Sequence, residues 1–194
     1  MHKGRWLLLG TLALAACGPE DAPVRSTPAN RKPGYFDVKG FLDAQVVALS
    51  RRQPVVEKQV RLRGGQLETT RVTKTDWSKE LQIFYQADIN KPALRGAYEA
   101  VRQNLPASVS RIVYQVNGNG TIKTSVDRLS VETRANRPQL VAATVRQDNS
   151  LFYSEKKLLL SVRNGQLISY EVHGVQKLVL FDTVRYSVRT RVLE

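Results

Sequence analysis

From Ser108 to the C-terminus the chain repeats one pattern, an apolar residue at every second position, broken by short turn signals. Ile112, Tyr114 and Val116 alternate with polar neighbours ahead of Gly118-Asn119-Gly120. Ile122, Thr124 and Val126 resume the pattern, and the step to Leu129 and Val131 breaks parity, which predicts a β-bulge. After the break at Asn136-Arg137-Pro138 come a strand over Leu140–Arg146, a turn at Asp148-Asn149-Ser150 and a strand over Leu151–Arg163. Asn164-Gly165 is a two-residue hairpin signal. Gln166–His173 returns, and a last strand runs through Val184, Tyr186, Val188 and Val192. A period of two places successive side chains on opposite faces. Short turns leave such strands only their neighbours to pair with, so the pattern predicts an antiparallel meander of about six strands, curved or half-barrel-like.

The N-terminal half has the other period. Val38, Phe41, Leu42, Val46 and Leu49 share one helical face, with Asp37 as N-cap, Tyr35 or Phe36 as a staple ahead of it, and Pro54 as the stop. Arg51-Arg52 would close the helix, where cations suit its dipole. Val56, Val60 and Leu62 alternate with polar residues up to Gly64-Gly65, and Leu67–Thr73 gives the return strand of a polar hairpin suited to an edge. Trp77, Leu81, Phe84 and Tyr85 then predict a second amphipathic helix with Trp77 in the core. Ala93–Leu105 fits a short helix or a strand. The fold class expected is α+β: two amphipathic helices packed on a sheet of about six C-terminal strands plus an N-terminal hairpin.

The first residues serve another purpose. Lys3 and Arg5 precede the apolar run Trp6–Leu14, which ends in Leu14-Ala15-Ala16-Cys17. Cations, a short apolar core and small residues make a secretory signal peptide, and the run falls short of the about 20 residues a membrane span needs. The ending resembles the lipobox of bacterial lipoproteins. That resemblance implies a diacylglycerol on the Cys17 thiol, cleavage before Cys17 and acylation of its new amino group. Gly18, which is not the Asp of inner-membrane retention, implies the outer membrane in the same way. The domains expected are a signal peptide over 1–16, a lipidated disordered tether over 17–34 and a single α+β domain over 35–194. Pro19, Pro23, Pro28 and Pro33 stand in the tether among polar residues too few in apolar groups to offset chain ordering. The body is similar to a group of uncharacterised cell-envelope lipoproteins through Tyr35-Phe36-Asp37, Asp76-Trp77-Ser78-Lys79-Glu80-Leu81 and Ala87-Asp88-Ile89-Asn90-Lys91-Pro92. No activity comes with that resemblance.

The whole chain carries 30 Lys and Arg against 17 Asp and Glu. Loss of Lys3 and Arg5 with the leader leaves about +11. Such a field favours anionic partners: headgroups, lipopolysaccharide, acidic glycans or acidic proteins. Export disfavours nucleic acid. Catalytic chemistry is poorly provided for. The lone cysteine is claimed by the lipobox, and His173 is the only histidine beyond the leader. No Gly-x-Ser-x-Gly elbow surrounds a serine, and no cluster has the spacing of a zinc site. Glu155 and Glu171 would have to face each other across the Asn164-Gly165 hairpin to act as a glycosidase pair, whereas Lys156 and Lys157 beside them suit cross-strand ion pairs. Arg185, Arg189 and Arg191 fall on the strand face opposite Val184, Tyr186, Val188 and Val192, forming a row of guanidinium groups for phosphate or carboxylate. The expectation is a non-enzymatic binding or accessory module without cofactor or metal, held at the membrane through acylated Cys17. It would dock an envelope protein or hold a lipid or other apolar ligand. A hydrolase acting on an envelope polymer and a purely structural lipoprotein are the alternatives.

Overall fold

The computed structural model describes residues 34–62, 65–118 and 122–193. The leader, Cys17, the tether, Gly64 and Asn119-Gly120 lie outside them. One compact unit spans Pro33–Glu194.

The first helix, α1, covers Val38–Arg52. The Asp37 carboxylate accepts from the Gly40 backbone N–H at 2.8 Å, taking up one of the donors a helix N-terminus leaves free. Phe36 at N′ meets Phe41 at N4 with ring centroids 6.0 Å apart, a hydrophobic staple. Gln53 ends the helix in the left-handed region at φ 42°, just before Pro54.

Trp77 does not begin one long helix. A single α-helical turn, α2 (Trp77–Glu80), passes into a 3₁₀ segment over Gln82–Ala87. Leu81, Phe84 and Ala87 are all buried, and a three-residue spacing forms one stripe only at three residues per turn. The α-helical reading of Trp77, Leu81 and Phe84 fits the same residues, and Ala87 separates the two. Pro92–Leu94 is a short 3₁₀ turn.

Nine strands follow one another in a single open antiparallel sheet, in the order β2-β1-β9-β8-β7-β6-β5-β4-β3. They are β1 (Val56–Leu62), β2 (Glu68–Val72), β3 (Tyr98–Leu105), β4 (Val109–Val116), β5 (Val126–Arg134), β6 (Arg137–Asp148), β7 (Phe152–Arg163), β8 (Gln166–Leu178) and β9 (Val184–Val192). The ambiguous stretch is thus strand β3, which brings the meander to seven strands. The hairpin β1–β2 joins it by pairing β1 with β9, leaving β2 at the edge. The bulge expected between Val126 and Leu129 is present as a register shift between Val126 and Arg128. Residues 122–125 are not strand, so β5 starts only at Val126. Asn164 and Gly165, at φ 53° and 79°, make the β7–β8 turn as a type I′ pair requires.

Helix α1 and the Trp77–Ala87 segment cover one face of the sheet. Their apolar residues Leu42, Leu49, Trp77 and Phe84 meet Leu129, Leu158, Leu160 and Tyr170 in one core. Each such side chain fully removed from water contributes about 1.5–3 kcal/mol.

Three stretches, 35–37, 76–81 and 87–92, are the joints of this layer. Asn90 accepts from the Tyr35 N–H at 3.1 Å and donates to the Phe36 carbonyl at 2.9 Å. Asp76 caps α2 and takes the Ser78 hydroxyl at 2.7 Å. Glu80 accepts from Lys58 Nζ at 2.6 Å and from the Tyr170 hydroxyl at 2.9 Å, fixing α2 to β1 and β8.

Candidate functional site: the open face of the sheet

Among the described residues, the second face of the sheet carries no helix. Strand β9 presents Arg185, Ser187, Arg189 and Arg191 there and turns Val184, Tyr186, Val188 and Thr190 to the other side, as a period of two requires. The three arginines therefore share a face, but they do not form one site.

Arg189 is occupied. Its guanidinium donates to both carboxylate oxygens of Glu171, at 2.9 and 3.3 Å, and His173 Nε2 stands 3.1 Å from the same carboxylate. Partial burial pushes the Glu171 pKa up. The hydrogen bonds from Arg189 and His173 outweigh it and hold the carboxyl below the usual range. Arg191 lies with Arg163, Arg189 and Glu171 in a shallow depression of about 530 Å³.

Arg185 belongs to a separate depression of about 360 Å³, lined also by Arg61, Lys157, His173, Val175 and Ser187. The strand register assembles it: Arg61 pairs with Ser187, Ser187 with His173, and His173 with Lys157. At about 4.8 Å between strands, Arg61 and Lys157 stand on opposite sides of it, about 14 Å apart at the backbone. Glu155, the one carboxylate in the lining, is committed elsewhere. It takes the Tyr153 hydroxyl at 3.0 Å and Arg146 at 3.2 Å, and these contacts keep its pKa low. Lys157 acts on Glu155 through space, but among the described residues Arg61, Lys157 and Arg185 make no ion pair within 4 Å. Three cations without a bound counter-charge ring a hollow with an apolar wall at Val175, which suits an anion attached to an apolar body.

The carboxylate pair considered from sequence does not form. Glu155 is registered against Val175 and Glu171 against Leu159, so the two are not opposite each other across the hairpin. Arg146 and Arg189 are their ion partners rather than Lys156 and Lys157, and Lys156 instead reaches Gln86 Oε1 at 3.1 Å. Among the described residues no three His, Cys, Asp or Glu side chains lie together as a metal would need. Cys17 lies outside the described residues. Arg61 was not distinguishable beforehand, because it joins Arg185 only once β1 pairs with β9, and nothing local to the hairpin says so; Lys157 comes in through the register of β7 on β8 and of β8 on β9.

Comparison of the chain with protein-family models, with curated proteins and with solved structures gave no match.

Proposed function

We propose that the protein is a lipoprotein of the bacterial outer membrane, anchored through acylated Cys17, that acts without catalysis as a docking module for an anionic envelope partner. The observation that carries this reading is the hollow ringed by Arg61, Lys157 and Arg185 on the sheet face that no helix covers. Among the described residues its cations make no ion pair within 4 Å, and the one carboxylate of the lining, Glu155, is held by Arg146 and Tyr153, which leaves the three cations available to an acidic group arriving there. Carriage of an apolar ligand under the helices is less well supported, since Trp77, Phe84, Leu42 and Leu49 fill that space with at most 2 % of each exposed.

Purification of the acylated protein from membranes, with mass spectrometry of what accompanies it, tests the proposal. An acidic envelope component that is lost when Arg61, Lys157 and Arg185 are changed to Gln is the expected result. A stoichiometric apolar ligand retained by that variant would overturn the docking role.

A further inference from the structure

Among the described residues, all the exposed large apolar side chains except Val47 and Val101 lie at one end of the sheet. Three adjacent hairpins meet there: β1–β2 with Leu62 and Leu67, β8–β9 with Leu178–Phe181, and β6–β7 with Leu151. The middle hairpin carries the most exposed of these side chains. Phe181 N–H donates to the Leu178 carbonyl at 3.1 Å, closing a tight turn that holds Val179 and Leu180 at its crest, and Val179 N–H donates to the Leu151 carbonyl at 3.2 Å. Leu180 is 88 % exposed and Phe181 70 %. The hairpins at the opposite end, such as Asn164-Gly165, expose no large apolar side chain among the described residues. Soluble proteins rarely leave a contiguous apolar surface uncovered.

We infer that this end of the sheet inserts its apolar tips into the interface of a lipid bilayer. Three observations favour lipid over a protein groove. The tip is four consecutive exposed apolar residues on a turn, which suits a fluid phase that closes around them. Cations border it, Lys177 on β8 and Arg185 on β9, where their charges reach headgroups while the apolar residues lie deeper. The chain also enters the fold at this end: Tyr35 donates its hydroxyl to the carbonyl of Tyr98, the first residue of β3, and its ring stands edge-on to Tyr98 and Tyr114. The described chain therefore begins at the end that carries the apolar tips, the end an anchor at Cys17 would hold toward the membrane. The orientation rests on the anchorage of Cys17 proposed above, whereas insertion of the tip does not.

The test uses the chain from Gly18 onward, which keeps every described residue and lacks the lipid. Phe181→Trp places a reporter at the tip, and Trp77, buried in the core, gives the background of the parent. With vesicles of phosphatidylethanolamine and phosphatidylglycerol, the added Trp should shift its emission to the blue and be quenched by brominated acyl chains. Leu180→Ser with Phe181→Ser should weaken vesicle binding at least tenfold and leave the melting temperature unchanged, since both side chains are exposed. The double variant Arg61→Gln with Lys157→Gln, which leaves Arg185 in place, should keep the quenching even if the partner of the hollow is lost, which separates the two proposals. A reporter that stays water-exposed and unquenched, or a serine pair that binds vesicles like the parent, would overturn the inference.

Discussion

Tyr170 donates its buried hydroxyl to Glu80 at 2.9 Å, across 90 residues of chain. Lys58 holds the other Glu80 oxygen at 2.6 Å, so one carboxylate joins α2, β1 and β8. Tyr170→Phe removes the donor but leaves the partly buried Glu80 acceptor, and unsatisfied groups of this kind cost about 1–3 kcal/mol. Urea unfolding should show a loss in that range. The double variant Tyr170→Phe with Glu80→Gln should lose less than the sum of the single changes, because the two act on one network.

The same phenol predicts an alkaline limit. Burial first, then the charge of Glu80, pushes the Tyr170 pKa far above that of a free phenol. Burial and the hydrogen bond to Asp43 push Tyr85 up to about 12. In the unfolded chain both titrate near 10. Stability is therefore full below about pH 10 and falls as pH rises above it, by up to about 1.4 kcal/mol per pH unit for each tyrosine. Tyr85→Phe should flatten that fall between about pH 10 and 12. An unchanged slope in pH-dependent melting would contradict the assignment.

Gln45 is a buried polar residue on α1 that the sequence disguises as an ordinary surface position. Its amide donates to the Gly165 carbonyl at 3.0 Å and accepts from the Leu167 N–H at 2.9 Å, clamping the helix to the β7–β8 hairpin. Gln45→Ala removes both bonds and orphans the buried Leu167 N–H, and it should cost about 1–3 kcal/mol in denaturant unfolding, the range for one buried group left without a partner. Trp77→Ala, which empties a core position, should cost about 3–5 kcal/mol.

The strands and their turns were legible because a period of two and the Asn164-Gly165 pair are local signals. Asp37 as a cap and Phe36 as a staple were legible for the same reason. What escaped was non-local. The pairing of β1 with β9 brings Arg61 beside Arg185, and it depends on how a hairpin docks onto a strand that follows it after 111 intervening residues, 73–183. The apolar tip at Leu178–Phe181 escaped for another reason. Apolar residues between two strands look like strand until the turn within them is seen. The 3₁₀ stretch was hidden because Trp77, Leu81 and Phe84 satisfy an α-helical period equally well.

On the anchorage proposed above, Cys17→Ser should abolish acylation, since the thiol would carry the first lipid. An acyl probe fed to expressing cells should label the parent and leave the serine variant dark. Label on the serine variant would place the anchor elsewhere.

The docking claim is tested most directly by titrating a fluorescent polyglutamate peptide with the chain from Gly18 onward. Three cations near an anionic surface contribute about 1 kcal/mol each, so changing Arg61, Lys157 and Arg185 to Gln should weaken binding by roughly a hundredfold at low salt. At about 0.15 M salt, where screening acts over about 8 Å, the difference should shrink. Changing Arg189 and Arg191 should matter less, because Glu171 already neutralises Arg189. Equal binding by the parent and the triple variant at low salt would contradict the account and leave the hollow a solvated sheet face.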